Sequence, residues 1–594
     1  MLQIIKDVIL MHFKAISLPT EINSKEHLSI YCPGKNTQLP LQIRTVKNTS
    51  INPFDYLIIN QMKKKKYIFL GLSCLAALWS CSENKPFTPD HTVQVSADST
   101  INATINTATA YQTIDGFAAS DAWAMDYIGK YWNTSAKEGI AKLLFSQNVN
   151  SGIPEGIGLS MWRVNVGGGT TEQGDNSGID DKTRRAECFL SADGTYDWSK
   201  AQGQQYFMQQ AKTYGCNQFV LFSNTPPVYY TRNGKGYSDM GAYSNLKDDC
   251  YAKYADFLST VAAHFQQQGY TIPLISPVNE PQYNWSSGQE GSGWQNSEIA
   301  RLAKELDKSM TSTGLDNTKM LLAEAGAWNY LYETAGDVGP ARSNVVNDFF
   351  DQGSLNYIGN LKHMPAIVCG HSYWTDLNWN ALADVRGKVH TAAQKYSLKV
   401  YQTEWSMMGN GYEDAPNYDN ASYMDLALAM SKVIHQDLVT ANASSWSYWT
   451  SVAPERWSQK SRFYLIRVTP ADGDYGDMAK SGTYSAGKNL WVLGNYSLFV
   501  RPGYQRVDLN IPQQSNKFFG SAYLSPDKSK LAVVYTNATT KSIKIATDIQ
   551  NLGKKAASVK QYTTSAAKDL KLEPDYQTGV LPARSVATLV YELN

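Results

Sequence analysis

The hydrophobic positions between residues 113 and 450 alternate between short apolar or β-branched runs and longer amphipathic segments. Short apolar runs predict buried strands, and apolar residues three and four positions apart predict helices. Residues 251–265 and 296–310 show the helical spacing. Such alternation predicts an α/β fold with a parallel sheet. The strand candidates are 114–117, 158–166, 218–223, 272–277, 320–325, 367–372, 399–403 and 444–449.

Eight strands is the number that closes a (β/α)8 barrel, the TIM barrel. From about residue 495 the pattern changes to short β-rich runs separated by Asn, Asp, Gly and Pro. This pattern predicts an antiparallel β-sandwich as an appended side domain. We therefore expect a catalytic barrel over 113–490 and a side domain over 491–594, with strand-like residues in 82–112 joining the side domain.

A targeting signal is predicted inside the chain. Four lysines follow Met62, an apolar stretch covers 67–79, and Ser80 precedes Cys81. A charged region, a short apolar region and a small residue define a secretory signal, and the stretch is shorter than the roughly 20 residues that span a bilayer. Residues 78–81 resemble a bacterial lipobox, whose cysteine is lipidated. The alternative is a short buried helix with a lone cysteine.

We therefore expect 62–81 to be a lipoprotein signal peptide with Cys81 as the lipidation site, followed by a tether from residue 82. The protein is then an exported, outer-membrane or cell-surface lipoprotein of a bacterium, which meets the membrane through its lipid anchor only. Because a signal must be N-terminal, we hypothesise that translation starts at Met62 and that 1–61 is an over-extended gene start. Native peptides from 1–61 would contradict this hypothesis.

The overall charge hides an asymmetry. The chain has 54 Lys and Arg against 53 Asp and Glu, and a net charge of +1 gives no basic surface for nucleic acid. Residues 1–80 contain ten basic and four acidic residues, so the remainder is mildly acidic. The chain is also rich in aromatic residues, with 37 Tyr, 18 Phe and 15 Trp. We expect a monomer with no metal and no cofactor.

The cysteines leave one question open. An exported protein can form disulfides, and Cys188 and Cys250 lie in polar stretches. A bridge between these two is one expectation, and free thiols are the other. Cys216 and Cys369 lie in or beside apolar runs and are predicted to be buried thiols.

Two carboxylates follow apolar runs that predict strands of the same barrel. The fourth run ends in Asn279-Glu280-Pro281, and the seventh ends in Glu404-Trp405. Active residues of such a barrel lie at the carboxyl ends of its strands. Glycoside hydrolysis needs two carboxyl groups, about 5–5.5 Å apart when the configuration is retained. The pattern thus predicts that Glu280 and Glu404 converge, although either alone could be a solvated loop carboxylate.

Asn279–Pro281 and Glu404–Trp405 resemble the clan A retaining glycoside hydrolases. Residues 112–123, 494–504 and 581–586 narrow the resemblance to glycoside hydrolase family 30, over about 90–594. The resemblance implies that Glu280 is the general acid/base and Glu404 the nucleophile. It also implies that Asn279 hydrogen-bonds the 2-hydroxyl of the sugar in the −1 subsite.

Further candidates follow the other strands. Arg163 either holds Glu404 ionised or forms a structural ion pair, and Tyr373 is expected to hydrogen-bond Glu404. Glu324, on the fifth strand, is expected to be structural. The remaining predicted substrate-binding residues are Asp121, Trp123, Asn224 and Trp449, with Trp449 as the floor of the site and Trp446 in the core. The Gly167–Gly169 run lacks the Lys and Ser/Thr of a phosphate-binding loop and is interpreted as a barrel loop.

Residues 115–123 and 167–175 resemble the endo-β-1,6-galactanase-like branch of the family. The expected function is therefore retaining hydrolysis of a neutral β-linked polysaccharide, β-1,6-galactan first. The open alternatives are β-1,6-glucanase, xylanase or glucosylceramidase-like specificity. A non-catalytic glycan-binding lipoprotein and a structural surface lipoprotein are the alternatives outside the enzymes, and the first of these predicts a damaged carboxylate pair.

Overall fold

The structure is a computed structural model that describes residues 97–417, 419–456 and 460–594. The predicted signal at 62–81 with Cys81, the tether up to residue 96 and the leading residues 1–61 lie outside the described residues. Within the described ranges, no helix combines the length and the apolar character needed to cross a membrane.

Eight short parallel strands form two four-stranded sheets. In chain order, one sheet contains the second to fifth strands, and the other pairs the first strand with the eighth, the eighth with the seventh and the seventh with the sixth. Isolated parallel bridges join Ser120 to Arg163 and Ala325 to Gly370, at the borders between the sheets. The strands are Gly116–Ala119, Met161–Asn165, Gln218–Phe222, Leu274–Ser276, Lys319–Met320, Ile367–His371, Lys399–Glu404 and Ala443–Tyr448.

Each of the eight predicted runs overlaps a strand, which confirms the α/β pattern. The fifth run differs most, because Met320 is the only residue of the predicted 320–325 that lies in the strand Lys319–Met320. Glu324 has φ +50°, in the left-handed region, so the extended backbone cannot continue through it. This turn directs the Glu324 side chain into the centre of the site described below.

Helices follow the strands, and the two predicted from apolar spacing are confirmed as Tyr251–Gln267 and Asn296–Ser312. Local capping chemistry fixes the start of the helix Tyr423–Val439, where Ser422 is the cap and Asp425 completes a capping box. The other α-helices are Ala124–Tyr131, Thr134–Phe145, Thr170–Gln173, Gln202–Thr213, Asn329–Tyr332, Val345–Phe350, Trp379–Lys395 and Lys488–Ser497. Short 3-10 turns cover Gly174–Ser177, Lys182–Arg184, Val228–Tyr230, Pro340–Arg342, Lys460–Arg462 and Asp575–Gln577, and minor strands cover Val149–Asn150, Ile153–Pro154, Val452–Ala453, Ile466–Thr469 and Thr483–Ala486.

The C-terminal region forms one nine-stranded sheet together with Ser99–Thr113. Its pairs are antiparallel except that Ser99–Thr113 runs parallel to Ile543–Gln550. The expectation of a wholly antiparallel side domain is therefore wrong at this pair. Short hairpins impose antiparallel neighbours, but Ser99–Thr113 reaches the sheet from the other end of the chain. In sheet order the strands are Lys568–Leu572, Ala556–Ser565, Ser585–Leu593, Lys530–Asn537, Phe518–Leu524, Gln505–Asn510, Ser99–Thr113, Ile543–Gln550 and Val580–Leu581.

The two faces of this sheet belong to different hydrophobic cores. Along Lys530–Asn537, Leu531 and Val533 pack within the sheet's own core, whereas Ala532 and Val534 join the large core of the parallel-strand region. This is the two-residue period of a strand that is buried on both faces. The expected boundary at 490/491 falls inside the helix Lys488–Ser497, whose buried residues also belong to the large core, so the division between the regions comes after this helix.

Cys188, Cys216, Cys250 and Cys369 are all buried and free. The structure therefore contains no Cys188–Cys250 bridge, and the expectation of free thiols holds for the four described cysteines. Burial raises the pKa of Cys216 to about 12, so its thiol is inert at neutral pH.

Candidate active site

Glu280 and Glu404 face each other at the carboxyl ends of the fourth and seventh parallel strands. Each residue is only 5% exposed. One carboxylate oxygen of Glu280, one of Glu404 and a ring nitrogen of His371 all lie within 4.8 Å of one another. The predicted convergence of the two carboxylates is therefore present.

Glu404 is the last residue of its strand and is held at both oxygens. Arg163 Nη1 donates to Oε2 at 2.5 Å, and the Tyr373 hydroxyl donates to Oε1 at 3.0 Å. The guanidinium and the phenol together fix the orientation of this carboxyl group. The structure thus contains both contacts that the sequence analysis expected for Glu404.

Glu280 is positioned by its backbone as well as by its side chain. Its φ is +41°, and its N–H donates to the Glu324 carbonyl at 2.9 Å. Trp285 Nε1 donates to the Glu280 carbonyl at 3.1 Å, and the Glu280 carboxyl lies 2.8 Å from His371 Nδ1. A non-glycine residue in the left-handed region indicates a conformation that its neighbours enforce.

Glu324 links the two sides of the site, a connection that the sequence did not reveal. It is fully buried, lies 3.4 Å from Arg163 Nη2 and 3.0 Å from His371 Nε2, and accepts from the Thr403 hydroxyl. Burial raises the pKa of this carboxyl, but Arg163 and His371 outweigh burial and lower it to about 2. Glu324 is therefore a permanent anion between two cationic groups.

Glu280 and His371 both have raised pKa values, but for different reasons. Burial, with the nearby charge of Glu404, raises the pKa of Glu280 to about 6 against the opposing effect of His371. Burial lowers the pKa of His371, but Glu404, Glu280 and Glu324 together raise it to about 10. At neutral pH, His371 is then an imidazolium that can donate to Glu280 and Glu324 at once. The raised pKa of Glu280 suits this carboxyl to exchange a proton near neutral pH.

Asn279 also belongs to the site. Its Oδ1 accepts from Arg163 Nη2 at 3.0 Å, which fixes the orientation of its amide. Asn224, at the end of the third strand, donates to Asn165 Oδ1 at 3.3 Å. The predicted sugar contacts of both residues stay predictions.

Asp121, a predicted sugar-binding residue, has its carboxyl group inside the protein. It is fully buried, its Oδ1 accepts from the Asn165 N–H at 2.8 Å, and its Oδ2 accepts from Gln204 Nε2 at 2.9 Å. Burial raises the pKa of this carboxyl to about 7. In this structure Asp121 joins two strand ends and a helix, and its predicted contact with sugar hydroxyls stays a prediction.

Trp123 and Trp449 form an aromatic corner. Their rings are perpendicular, with centroids 5.1 Å apart. Phe222 contacts Trp449 at 6.2 Å and lies under the Arg163 guanidinium at 3.7 Å, so this corner is connected to Glu404 through Arg163. Both tryptophans line a cavity of about 290 Å³. A flat apolar face beside a polar cleft suits the C–H face of a sugar.

Glu290 is a buried carboxylate that the sequence analysis missed. The Gly168 N–H donates to it at 3.1 Å, and the Thr170 hydroxyl donates to it at 2.7 Å. The Gly167–Gly169 run therefore surrounds an internal carboxylate, in keeping with its interpretation as a barrel loop. No periodic pattern surrounds Glu290 in the sequence, so only an unpaired acid in a glycine-rich loop could have indicated it.

The donor atoms of Glu280, His371 and Glu404 lie close enough to share a cation. The Arg163 guanidinium, however, already contacts Glu404, and the pKa of His371 is raised to about 10, which keeps its nitrogens protonated. Metal ligation needs a neutral imidazole. The donor set therefore fits direct carboxylate chemistry better than a metal centre.

Residues 100–462 match the model of a protein family described as O-Glycosyl hydrolase family 30. The chain is 28% identical over 428 residues to an endo-beta-1,6-galactanase of Hypocrea rufa, covering 69% of this chain and 76% of that protein. It is 24% identical over 353 residues to the glucuronoxylanase XynC of Bacillus subtilis, covering 58% and 67%. A crystal structure of a conserved exported protein from Bacteroides fragilis is 33% identical, with a TM-score of 0.76, covering 82% of this chain and 99% of that one.

Replacing Glu324 with Gln tests the buried network. The change leaves Arg163 with one carboxylate fewer, so we expect the free energy of unfolding at pH 7 to fall by about 3 kcal/mol. Because the pKa of Glu324 is about 2 in the fold against an ordinary 4.5, its stabilising effect is lost as the pH falls from 4.5 to 2. The difference from the parent should therefore shrink over that interval in urea titrations.

Glu138→Gln is the matched control, because Glu138 is exposed on the helix Thr134–Phe145. We expect it to change the free energy of unfolding by less than about 0.5 kcal/mol. A Glu324→Gln protein as stable as this control at pH 7 would contradict the role of Glu324.

Proposed function

The chain belongs to glycoside hydrolase family 30 and is a glycoside hydrolase, and from that premise we propose that it cleaves β-1,6-galactan by retaining double displacement. The proposal rests on one observation: Glu280 and Glu404 face each other within 4.8 Å in unequal environments. Retaining enzymes place their two carboxyl groups about 5–5.5 Å apart, whereas inverting enzymes separate them by roughly 6.5–9.5 Å.

In the first step, Glu404 attacks the anomeric carbon while Glu280 protonates the departing glycosidic oxygen. The bond to the leaving sugar breaks, and an ester bond to Glu404 forms. Arg163 and Tyr373 orient the attacking carboxylate through their hydrogen bonds. The proton that Glu280 gives up leaves with the released sugar chain.

In the second step, Glu280 takes a proton from a water that attacks the ester, which frees the sugar with its original configuration. Esterification removes the negative charge of Glu404, one of the causes that raise the pKa of Glu280. The acid therefore becomes a stronger acid once the intermediate has formed, and is ionised when a base is needed. Asn279, oriented by Arg163, is proposed to donate to the 2-hydroxyl.

We also infer that the eight parallel strands form one closed (β/α)8 barrel with the sheet-rich region as its side domain. The bridges Ser120–Arg163 and Ala325–Gly370 support closure, because they join the two four-stranded sheets at both borders. A closed ring places the ends of the fourth and seventh strands across a common lumen. This arrangement explains how Glu280 and Glu404 meet. We propose that this protein acts as a monomer.

The substrate proposal draws on the relative from Hypocrea rufa, whose name is endo-beta-1,6-galactanase. The relative from Bacillus subtilis is a glucuronoxylanase, so xylan is an alternative, as are β-1,6-glucan and a glucosylceramide-like glycoside. A non-catalytic glycan-binding protein is disfavoured, because both carboxylates and their supporting residues are present.

We propose further that 62–81 acts as a lipoprotein signal and that Cys81 attaches the enzyme to a membrane by lipid. The similar protein from Bacteroides fragilis is described as exported, which supports a location outside the cytoplasm. A tethered glycosidase would act on polysaccharide outside the cell.

Replacing Glu404 with Gln removes the nucleophile with little change in shape. We expect kcat on the preferred polysaccharide to fall by a factor on the order of 10³ or more. The measurement is reducing-end release from β-1,6-galactan, β-1,6-glucan and xylan, with Glu138→Gln as control. Proton NMR of the first products should show the β anomer for the parent protein. An α anomer, or equal activity of Glu404→Gln, would overturn the mechanism.

The pH profile tests the role of Glu280. A general acid must be protonated, and its pKa is about 6. We expect kcat/KM to fall about tenfold per pH unit above this value. A glycosyl fluoride, whose leaving group needs little protonation, should lose this alkaline decline in its first step. An alkaline limb that persists in Glu280→Gln would assign the decline to another group.

Replacing Cys81 with Ser tests the anchor. In a bacterial host we expect the parent protein to fractionate with membranes and to carry lipid on Cys81, because lipidation needs the thiol. The Cys81→Ser protein should lose the lipid and leave the membrane fraction. Cys74→Ser, in the apolar stretch of the same signal, is the control and should remain lipidated. Lipid-free Cys81 in the native protein, found by mass spectrometry, would refute the proposal.

A further inference from the structure

Trp374 has a large apolar side chain that is exposed and a backbone conformation that is unfavourable for such a residue. It is 55% exposed, and its φ is +62°, in the left-handed region. A bulky residue in this region is a conformational outlier that the surrounding structure must hold. Its Nε1 donates to the Tyr283 hydroxyl at 2.8 Å, so the exposed ring has a fixed orientation.

The segment around Trp374 is held by hydrogen bonds to the protein interior. Ser372, Thr375 and Asp376 each hydrogen-bond a buried side chain of the interior. The partners are Asp437 for Ser372 at 2.7 Å, Arg386 for Thr375, and Trp405, next to the proposed nucleophile, for Asp376 at 2.7 Å. The backbone on both sides of Trp374 is thus held in place, and such preorganisation lowers the entropic cost of binding at this ring.

Adjacent residues of this segment point in opposite directions. Tyr373 is buried and donates to Glu404 at 3.0 Å, whereas Trp374 points to solvent. The chain therefore places an exposed aromatic ring one residue away from a group that touches the nucleophile. Its position is fixed relative to the reacting atoms.

Two more aromatic rings connect Trp374 to the proposed acid. Tyr283 and Trp285 lie in the loop after the fourth strand, and their rings are perpendicular with centroids 5.8 Å apart. The Tyr283 N–H and Trp285 Nε1 both donate to the Glu280 carbonyl at 3.1 Å. Trp285, Tyr283 and Trp374 form a continuous aromatic row that starts at Glu280 and ends in solvent.

The proposed reaction indicates which part of the substrate lies beside this aromatic row. The acid protonates the oxygen of the departing sugar, so the leaving chain extends from the bond on the side of Glu280. The other aromatic pair, Trp123 and Trp449, connects to Glu404 through Phe222 and Arg163. The site thus has an aromatic surface associated with each catalytic carboxylate.

We infer that Trp374, supported by Tyr283 and Trp285, is the binding platform for the hexose residues on the leaving-group side of the scissile bond. The inference rests on the proposed function and adds to it the surface that holds the departing chain. The ligand class is a neutral β-linked chain of at least two sugars beyond the cleavage point.

The test compares two donors that share the same sugar but differ in the leaving group. One is the polysaccharide that the parent protein cleaves, and the other is the corresponding disaccharide fluoride, which places no sugar beyond the bond. We expect Trp374→Ala to lower kcat/KM on the polysaccharide roughly tenfold or more and to leave the fluoride within about twofold. Trp374→Phe, which keeps a ring, should lose less.

Transglycosylation gives a second readout. An acceptor oligosaccharide must bind the same platform to intercept the glycosyl-enzyme. In the parent protein we expect added acceptor to raise the turnover of the fluoride and to yield longer products, and in Trp374→Ala we expect neither effect. Tyr576→Ala is the control, because Tyr576 is 57% exposed in the C-terminal region.

Equal losses on the polysaccharide and the fluoride would overturn the inference, because they would assign Trp374 a structural role. Unchanged activity on both donors would overturn it as well. A parent protein that cleaves no β-linked polysaccharide would overturn the proposed function and this inference together, and is recognised from the parent alone.

Discussion

Burying the guanidinium of Arg163 removes it from water, a loss that amounts to several kcal/mol for an isolated ion. The structure offsets this loss with two carboxylates, Glu404 and Glu324, and with the amide oxygen of Asn279. These partners come from the ends of different strands, so none of them can satisfy Arg163 unless the strands are assembled in the right order. The same ion thus specifies the arrangement of the strand ends and the position of the Glu404 carboxyl group.

Glu280 and Glu404 have different hydrogen-bond partners as a result of this arrangement. Arg163 lies against Glu404 and Glu324, whereas Glu280 receives its hydrogen bond from the imidazole of His371. Two cationic groups, Arg163 and His371, thus face three acids, Glu280, Glu324 and Glu404. Glu280 and Glu404 are equally buried, so the two carboxyl groups are distinguished by the identity of their nearest partner.

Much of this was accessible from the sequence, because strand ends are local features. The runs that end at Glu280 and Glu404 were identified by their apolar residues, and the position of Tyr373 after the sixth strand indicated its contact with Glu404. The role of Glu324 was not accessible, because it depends on a left-handed turn and on partners from three other strands. The contact of Asp121 with Gln204 was not accessible either, because Gln204 lies in a helix about 80 positions away.

The same limit applies to the side sheet. The apolar runs after residue 495 predicted its strands, but local hairpin rules could not predict that Ser99–Thr113 enters the sheet in parallel. Register and direction between segments more than 400 residues apart depend on the complete fold.

The sheet with two buried faces limits how this chain could be divided into interchangeable modules. Ala532 and Val534 complete the core of the parallel-strand region, while Leu531 and Val533, on the same strand, close the core of the sheet. An isolated catalytic region would expose a broad apolar surface, and an isolated sheet would expose the matching one, so both pieces would be prone to aggregate. The C-terminal region is therefore an integral part of the folded enzyme. Recombination or truncation that treats it as a detachable accessory would yield insoluble fragments.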